Sequence, residues 1–266
     1  MAEIREKDRV REQFSRTAKG YVESQSHGNP ATLTELVELL QPQPSWRILD
    51  VATGGGHVAG ALAGHVRAVV ASDLTPDMLA AARKQLTKHG IDNVEYVVAD
   101  AEDLPFLDAT FDAVTCRIAP HHFPEPARFV RESYRVLKPG GLFLMVDNVS
   151  PEDGALAEFL NAFEKLRDNS HVRCRRVSEW QEWLQSTGFV VQDARLRRKV
   201  IAFGPWVLRM ARNAQHAAEV ERFIGSGPDS ALAYFEVRPR DGSVESLAID
   251  EWRVLCHKPL VNGIEK

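Results

Sequence analysis

The sequence predicts an α/β protein built on a doubly wound, mostly parallel sheet. Three observations predict it. Short apolar runs alternate with segments of helical period, the first of those runs enters a glycine turn that opens a helix, and carboxylates close the next two runs. In order, strands are expected near 47–51, 68–72, 94–99, 113–116 and 142–147, with helices between them near 57–65, 76–89 and 126–137. Thr75 before Pro76 marks a helix entry, because proline's missing N–H costs nothing in the first turn. Pro139-Gly140-Gly141 stops the helix that ends near Lys138.

Ahead of the sheet, 5–16 and 31–40 read as amphipathic helices that can cover its open mouth. Beyond Asp147 come helices near 154–167 and 178–186, a strand over 189–200 and a further helix over 205–224. Residues 231–237 and 246–258 alternate as strands around the turn at Asp241-Gly242. Trp206 and Met210 suit either the wall of an acceptor pocket or a buried helix face.

With 266 residues, 44% apolar and 26% charged, the chain has the composition of a globular enzyme with one sizeable core. A net charge of −4 gives no electrostatic reason to expect a nucleic-acid partner. The basic run Arg195, Arg197, Arg198, Lys199 reads as a solvated strand face. Cys116, Cys174 and Cys256 have neither disulfide nor zinc spacing, which fits a reducing compartment. No segment reads as an export signal or membrane span, so a cytoplasmic location is expected. A homodimer is left open.

The chemistry gathers at strand ends. In Asp50-Val51-Ala52-Thr53-Gly54-Gly55-Gly56 a buried strand runs into a turn whose glycines let backbone approach a ligand, and the helix behind it offers unpaired N–H groups. Asp73 closes the next strand, where a carboxylate can accept from vicinal ribose hydroxyls. Asp100 closes the third and can accept from an adenine amino group, while the N–H of Ala101 can donate to the ring. These residues call for an adenosine-type ligand and leave NAD and S-adenosylmethionine (SAM) both open.

Taken together, the run resembles the class I SAM-dependent methyltransferases. The resemblance rests on Asp50 to Gly56, Asp73 followed by Met78, Asp100-Ala101 before Leu104-Pro105-Phe106, then Phe111-Asp112, and Arg135-Val136-Leu137-Lys138-Pro139-Gly140-Gly141. It implies a Rossmann-like, seven-stranded sheet with an N-terminal helical cover over 1–45, a SAM-binding core over 46–147, and substrate-side helices, an inserted helix and closing strands over 148–266. Within the superfamily, Asp50-Val51-Ala52-Thr53-Gly54 is most similar to the ubiquinone and menaquinone C-methyltransferases. The chain departs from them at Arg117-Ile118-Ala119-Pro120-His121-His122-Phe123 and at Asp147-Asn148-Val149-Ser150-Pro151, both in the substrate region.

The resemblance implies SAM as cofactor, with Ala52, Thr53, Gly54 and Gly56 against its methionine part and Asp50 helping to hold its ammonium group. Asp73 is implied on the ribose, Leu74 and Met78 against the base, and Asp100 and Ala101 on its edge. Arg117, and Tyr21 in a lid with Phe14, complete the expected cofactor set.

Methyl transfer from a sulfonium needs mainly proximity, orientation and a dry site, since the donor is already activated. An acceptor carrying a proton also needs a base, and His121 and His122 follow the fourth strand where ligands sit in such sheets. Each equally suits a loop imidazole bonded to backbone. His171 and Arg173 form a second polar cluster that can meet an acidic or phenolic acceptor. The spacing of the histidines does not suit a metal site. The expected reaction is methylation of a small molecule, a quinone-like or phenolic ring first. The rivals are an NAD-dependent oxidoreductase, which the Asp100 to Phe106 block and the Pro139-Gly140-Gly141 turn disfavour, and a non-catalytic SAM-binding protein.

Overall fold

The computed structural model describes residues 2–22, 28–240 and 242–260, and side chains from Arg5 onward except over 18–22. Helices α1 (Ala2–Val22) and α2 (Pro30–Leu40) precede the sheet. The alternating core is β1 (Arg47–Val51), α3 (His57–Ala63), β2 (Ala68–Asp73), α4 (Pro76–Lys88), β3 (Val94–Val98), β4 (Phe111–Arg117), a 3-10 turn at Pro120–His122, α5 (Pro126–Val136) and β5 (Leu137–Val149). There follow α6 (Gly154–Arg167), α7 (Val177–Thr187), β6 (Val190–Ala202), α8 (Phe203–Met210), α9 (Ala214–Gly225), α10 (Asp229–Tyr234), β7 (Arg238–Arg240) and β8 (Ser243–His257).

The strand order is β3-β2-β1-β4-β5-β8-β6, with β7 pairing β8 off this path. Strands β1 to β5 are parallel, and β8 inserts antiparallel between β5 and β6. Chain order runs outward from β1 to β3 and then returns to β4 on the other side. The reversal opens a crevice beyond the carboxyl ends of β1 and β4, the place where open α/β sheets take ligands.

Strand alternation divides the core into two layers. Ile48, Val69 and Leu144 point to one face with Leu36 and Leu40 of α2 and Leu62 of α3, whereas Leu49, Val70 and Phe143 point to the other with Phe129 of α5 and Trp180 and Leu184 of α7. A third cluster lies past the sheet: Phe163 of α6, Phe203 and Trp206 of α8, Ile224 of α9 and Phe235 pack on Leu247 and Ile249 of β8. Trp206 and Met210 are buried, and Trp206 belongs to this cluster as a helix-face residue. Helix α1 lies against α4 and α8, across the crevice.

Two expectations change. The stretch expected as a strand over 231–237 opens instead with α10, since its buried residues, Ala231 and Phe235, are four apart, which is a helical and not a strand period. The single helix expected over 205–224 is two, broken at Arg212-Asn213, where the Asn213 side chain caps α9 by accepting from the His216 N–H. The basic run on β6 is paired: Arg197 and Lys199 bridge to Glu251, and Arg198 to Asp250. Among the described residues no helix is long and apolar enough to cross a membrane.

Early in β5, where its register with β4 shifts, the backbone is tight at Gly141, and an added Cβ would lie 2.9 Å from the Lys138 carbonyl oxygen and 3.0 Å from that of Asp112. Gly64, with φ of −69°, faces open space. Gly141→Ala is expected to cost about 1–3 kcal/mol in urea unfolding by overpacking. Gly64→Ala is expected to be neutral or to stabilise by up to about 1 kcal/mol through the unfolded chain.

Candidate active site

The crevice is a cleft of about 970 Å³, open solvent included. Its floor is the turn after β1. Asp50 is 1% exposed, and its carboxylate accepts from the hydroxyls of Thr53 at 2.6 Å and of Thr115 on β4 at 2.8 Å. Burial pushes its carboxyl up to about 6, opposed by these two bonds and by the Ala59 N–H. Positive φ at Ala52, Gly54 and Gly56, of 51°, 54° and 78°, folds the backbone over this carboxylate. A Cβ on Gly56 would come within 3.0 Å of Ala82 on α4, so close helix packing also requires glycine there.

Asp73, at the end of β2, accepts from the N–H of Gly54 at 3.0 Å and of Thr75 at 2.9 Å, and burial pushes it up to about 6 as well. Ala52, Thr53, Gly54, Asp73, Leu74, Met78, Asp100, Ala101 and Arg117 all line the cleft, as does Asp50. Gly56, one residue further on, does not, and shapes the turn from behind. Met78 stands against the turn, 3.4 Å from where a Gly54 Cβ would be. The Tyr21 side chain lies outside the described residues.

The wall facing the strands is α1, through Lys7, Val10 and Phe14. Lys7 Nζ pairs with Asp100 at 2.8 Å and with Glu102 at 2.6 Å. Neither Lys7 nor Glu102 was expected in the site. The signal was the spacing of Lys7, Val10 and Phe14, one stripe at i, i+3 and i+7, hidden in a helix dominated by charge. Ile118 and Ala119 complete the rim after β4, where Ile118 takes φ of 53°.

The histidines divide. His122 lines the cleft, with the Phe14 ring edge-on at 5.0 Å, whereas His121 lies behind it and outside the lining. His121 Nδ1 meets Asp147 Oδ1 at 2.7 Å, and His122 Nδ1 meets the Ser170 carbonyl at 3.0 Å, so a carbonyl acceptor fixes the proton of His122 on Nδ1 and leaves the lone pair on Nε2. His171 shares the cluster, its ring 5.7 Å from that of His121, and bonds Asn161 through Nε2. Its Nδ1 is buried with no hydrogen-bond partner among the described residues. Arg173 turns away to Glu179. Among the described residues no group of three or more His, Cys, Asp or Glu is arranged to hold a metal ion.

Burial acts to lower the pKa of His121, but the charge and hydrogen bond of Asp147, helped by Glu164 and Asp168, outweigh it and raise it above the ordinary value. For His122, burial and then the charge of His121 both act downward, and the net shift is down. His171 is lowered by the same two causes. Within the cluster a proton therefore goes to His121 before His122 or His171, and the imidazole presented to the cleft is the neutral one. Asp147→Asn is expected to lower the titration of His121, followed by imidazole NMR, because burial would then be opposed only by the charges of Glu164 and Asp168. A raised folded pKa stabilises fully below the unfolded value near 6.5 and loses that contribution as pH rises through the folded one.

These features fit SAM: a carboxylate, Asp73, lining the cleft at a strand end, a turn whose backbone lines it, and apolar walls at Leu74 and Met78. Residues 49–145 match the model of a methyltransferase domain. The methyltransferase YcgJ of Bacillus subtilis is 34% identical over 84% of this chain and 88% of its own length. A demethylmenaquinone methyltransferase of Clavibacter sepedonicus is 44% identical over 65% of this chain and 78% of its own. A solved structure from Bacillus halodurans, described as a methyltransferase, superposes with a TM-score of 0.83 at 43% identity, over 86% of this chain and 99% of that one. With these likenesses and the carboxylates of Asp73 and Asp100 at the strand ends, the chain belongs to the SAM-dependent methyltransferases.

Proposed function

We propose that the protein methylates a small aromatic acceptor, phenolic or quinone-like, with His122 as the base that faces it. The observation that carries this reading is the tautomer of His122: Nδ1–H is committed to the Ser170 carbonyl, and Nε2 belongs to a ring on the cleft wall. Bound SAM would supply an activated methyl group on its sulfonium. The chain's residues then have to orient the acceptor, exclude water and receive one proton.

In this reading the turn from Ala52 through Thr53 and Gly54 receives the methionine part, with Gly56 shaping it and Arg117 beside it. Asp73 takes the ribose, Leu74 and Met78 flank the base, and Asp100 and Ala101 meet its edge. Asp50 helps to hold the ammonium group and, through its bonds from Thr53 and Thr115, holds the turn as well. His121 is a positioning residue: burial first keeps His122 neutral, and the charge of His121, held by Asp147, adds to it. An aromatic acceptor is supported by the apolar rim of Phe14, Ile118, Ala119 and Phe123, and by the likeness to a demethylmenaquinone methyltransferase. The reading also takes the protein to work in the cytoplasm.

Calorimetry is expected to show binding of SAM and S-adenosylhomocysteine but not of NAD; tight NAD binding without a SAM signal would reject the reading. Asp73→Ala is expected to weaken SAM by about 1–3 kcal/mol, the cost of losing a charged acceptor. Only the ionised carboxylate can accept from both ribose hydroxyls, so SAM affinity should fall as pH drops through about 6. Asp73→Asn should flatten that dependence. A screen of labelled SAM against phenols, quinols and amines is expected to label a phenol or quinol, at a rate that falls at least about 100-fold in His122→Gln. Unchanged turnover in that variant would remove the base from His122.

A further inference from the structure

Helix α1 has two working faces. Lys7, Val10 and Phe14 line the cofactor cleft, while Arg9, Gln13 and Arg16 line a second groove on its other side. The opposite wall is the end of α6, with Lys165 and Arg167, and the break between α8 and α9, with Arg212. The groove encloses about 1050 Å³, open solvent included. Arg9, Arg16, Lys165, Arg167 and Arg212 face it against one lining carboxylate, Glu12, in a chain whose net charge is −4.

That concentration of charge is costly without a counter-ion. Burial and then the charge of Arg9 lower the pKa of Lys165, with Glu6 and Asp168 opposing. The cations on the far wall are nevertheless fixed. Lys165 Nζ donates to the carbonyls of Asn169 at 2.8 Å and His171 at 2.6 Å, and Arg167 bonds Glu164 at 2.8 Å and lies over the Trp206 ring at 4.4 Å. Arg16 is oriented by Gln13, whose Oε1 accepts from it at 2.6 Å. Guanidinium groups on two facing walls suit planar carboxylates and phosphates, which they can bond bidentately.

We propose that this groove binds a small polyanion, a phosphate ester or polycarboxylate, clamped between the arginines of α1 and Arg212. The anion can be the acidic tail of the methyl acceptor, which rests on the function proposed above, or a separate ligand, which does not. Lys165 reaches the backbone of His171, so the groove abuts the histidine cluster.

The test is calorimetry of the full chain with pyrophosphate and with citrate at constant ionic strength. Saturable binding is expected, weakened at least about tenfold in the double variant Arg9→Glu, Arg212→Glu, with SAM affinity unchanged. No saturable binding by the wild type, or a double variant that binds as tightly, would overturn the proposal. SAM affinity measured on the same samples separates failure of the groove from failure of the methyltransferase reading. Labelled-SAM assays with acidic and neutral versions of one acceptor separate the two sources of anion. A preference for the acidic version that vanishes in the double variant assigns the anion to the acceptor, and equal turnover beside intact pyrophosphate binding assigns it to a separate ligand.

Discussion

The carboxylate of Asp50 holds the site together. It sits at the point where strand order reverses, and it ties the end of β1 to the turn through Thr53 and to β4 through Thr115. The two strands that flank the crevice are thus joined by one buried group, which accepts enough hydrogen bonds to tolerate burial but not enough to escape its cost. Removing the carboxylate would orphan two hydroxyls beneath the turn as well as free the turn. Residues that line the cleft on either side, Ala52 and Arg117, owe their positions to this tie.

The second constraint is electrostatic. The rings of His121 and His122 lie 4.3 Å apart, and two unit charges at that distance repel by about 4 kcal/mol at an effective dielectric near 20. The pair therefore carries at most one positive charge, and Asp147 decides which ring bears it. A base must be neutral before it can act, so the ion pair behind the wall sets the state of the imidazole on the wall. Asp168 works in the opposite sense: it accepts from the Ser170 N–H and hydroxyl and so fixes the carbonyl that orients His122.

What could be read from the sequence was local. A strand entering a glycine turn, a carboxylate at a strand end and a Pro-Gly-Gly stop each need only a few neighbouring residues, and they give the order β1 to β5 and most of the cofactor wall. Which of two adjacent histidines faces the cleft depends instead on Asp147 and Ser170, 26 and 48 residues away. Lys7 meets Asp100 across 93 residues, a pairing no local pattern encodes. The 231–237 stretch misled for the opposite reason: a run of alanines and aromatics carries a weak period, and packing of Ala231 and Phe235 into the third cluster decided it.

Two of the five described non-glycine residues with positive φ stand at the crevice. Ala52 and Ile118 both take positive φ without being glycine, a conformation that costs about 1–2 kcal/mol for an L-residue. They follow β1 and β4, on the two sides of the crevice, and both line it. Strain placed there shapes the cavity in advance of any ligand, and the well-packed strands behind, with Leu49 and Val114 fully buried, can sustain it. The facing wall is built differently, from side chains of α1 and of the turn after β4, held by ion pairs and hydrogen bonds. Backbone forms the floor of the cleft, whereas side chains form the facing wall, which can be respecified by exchanging them.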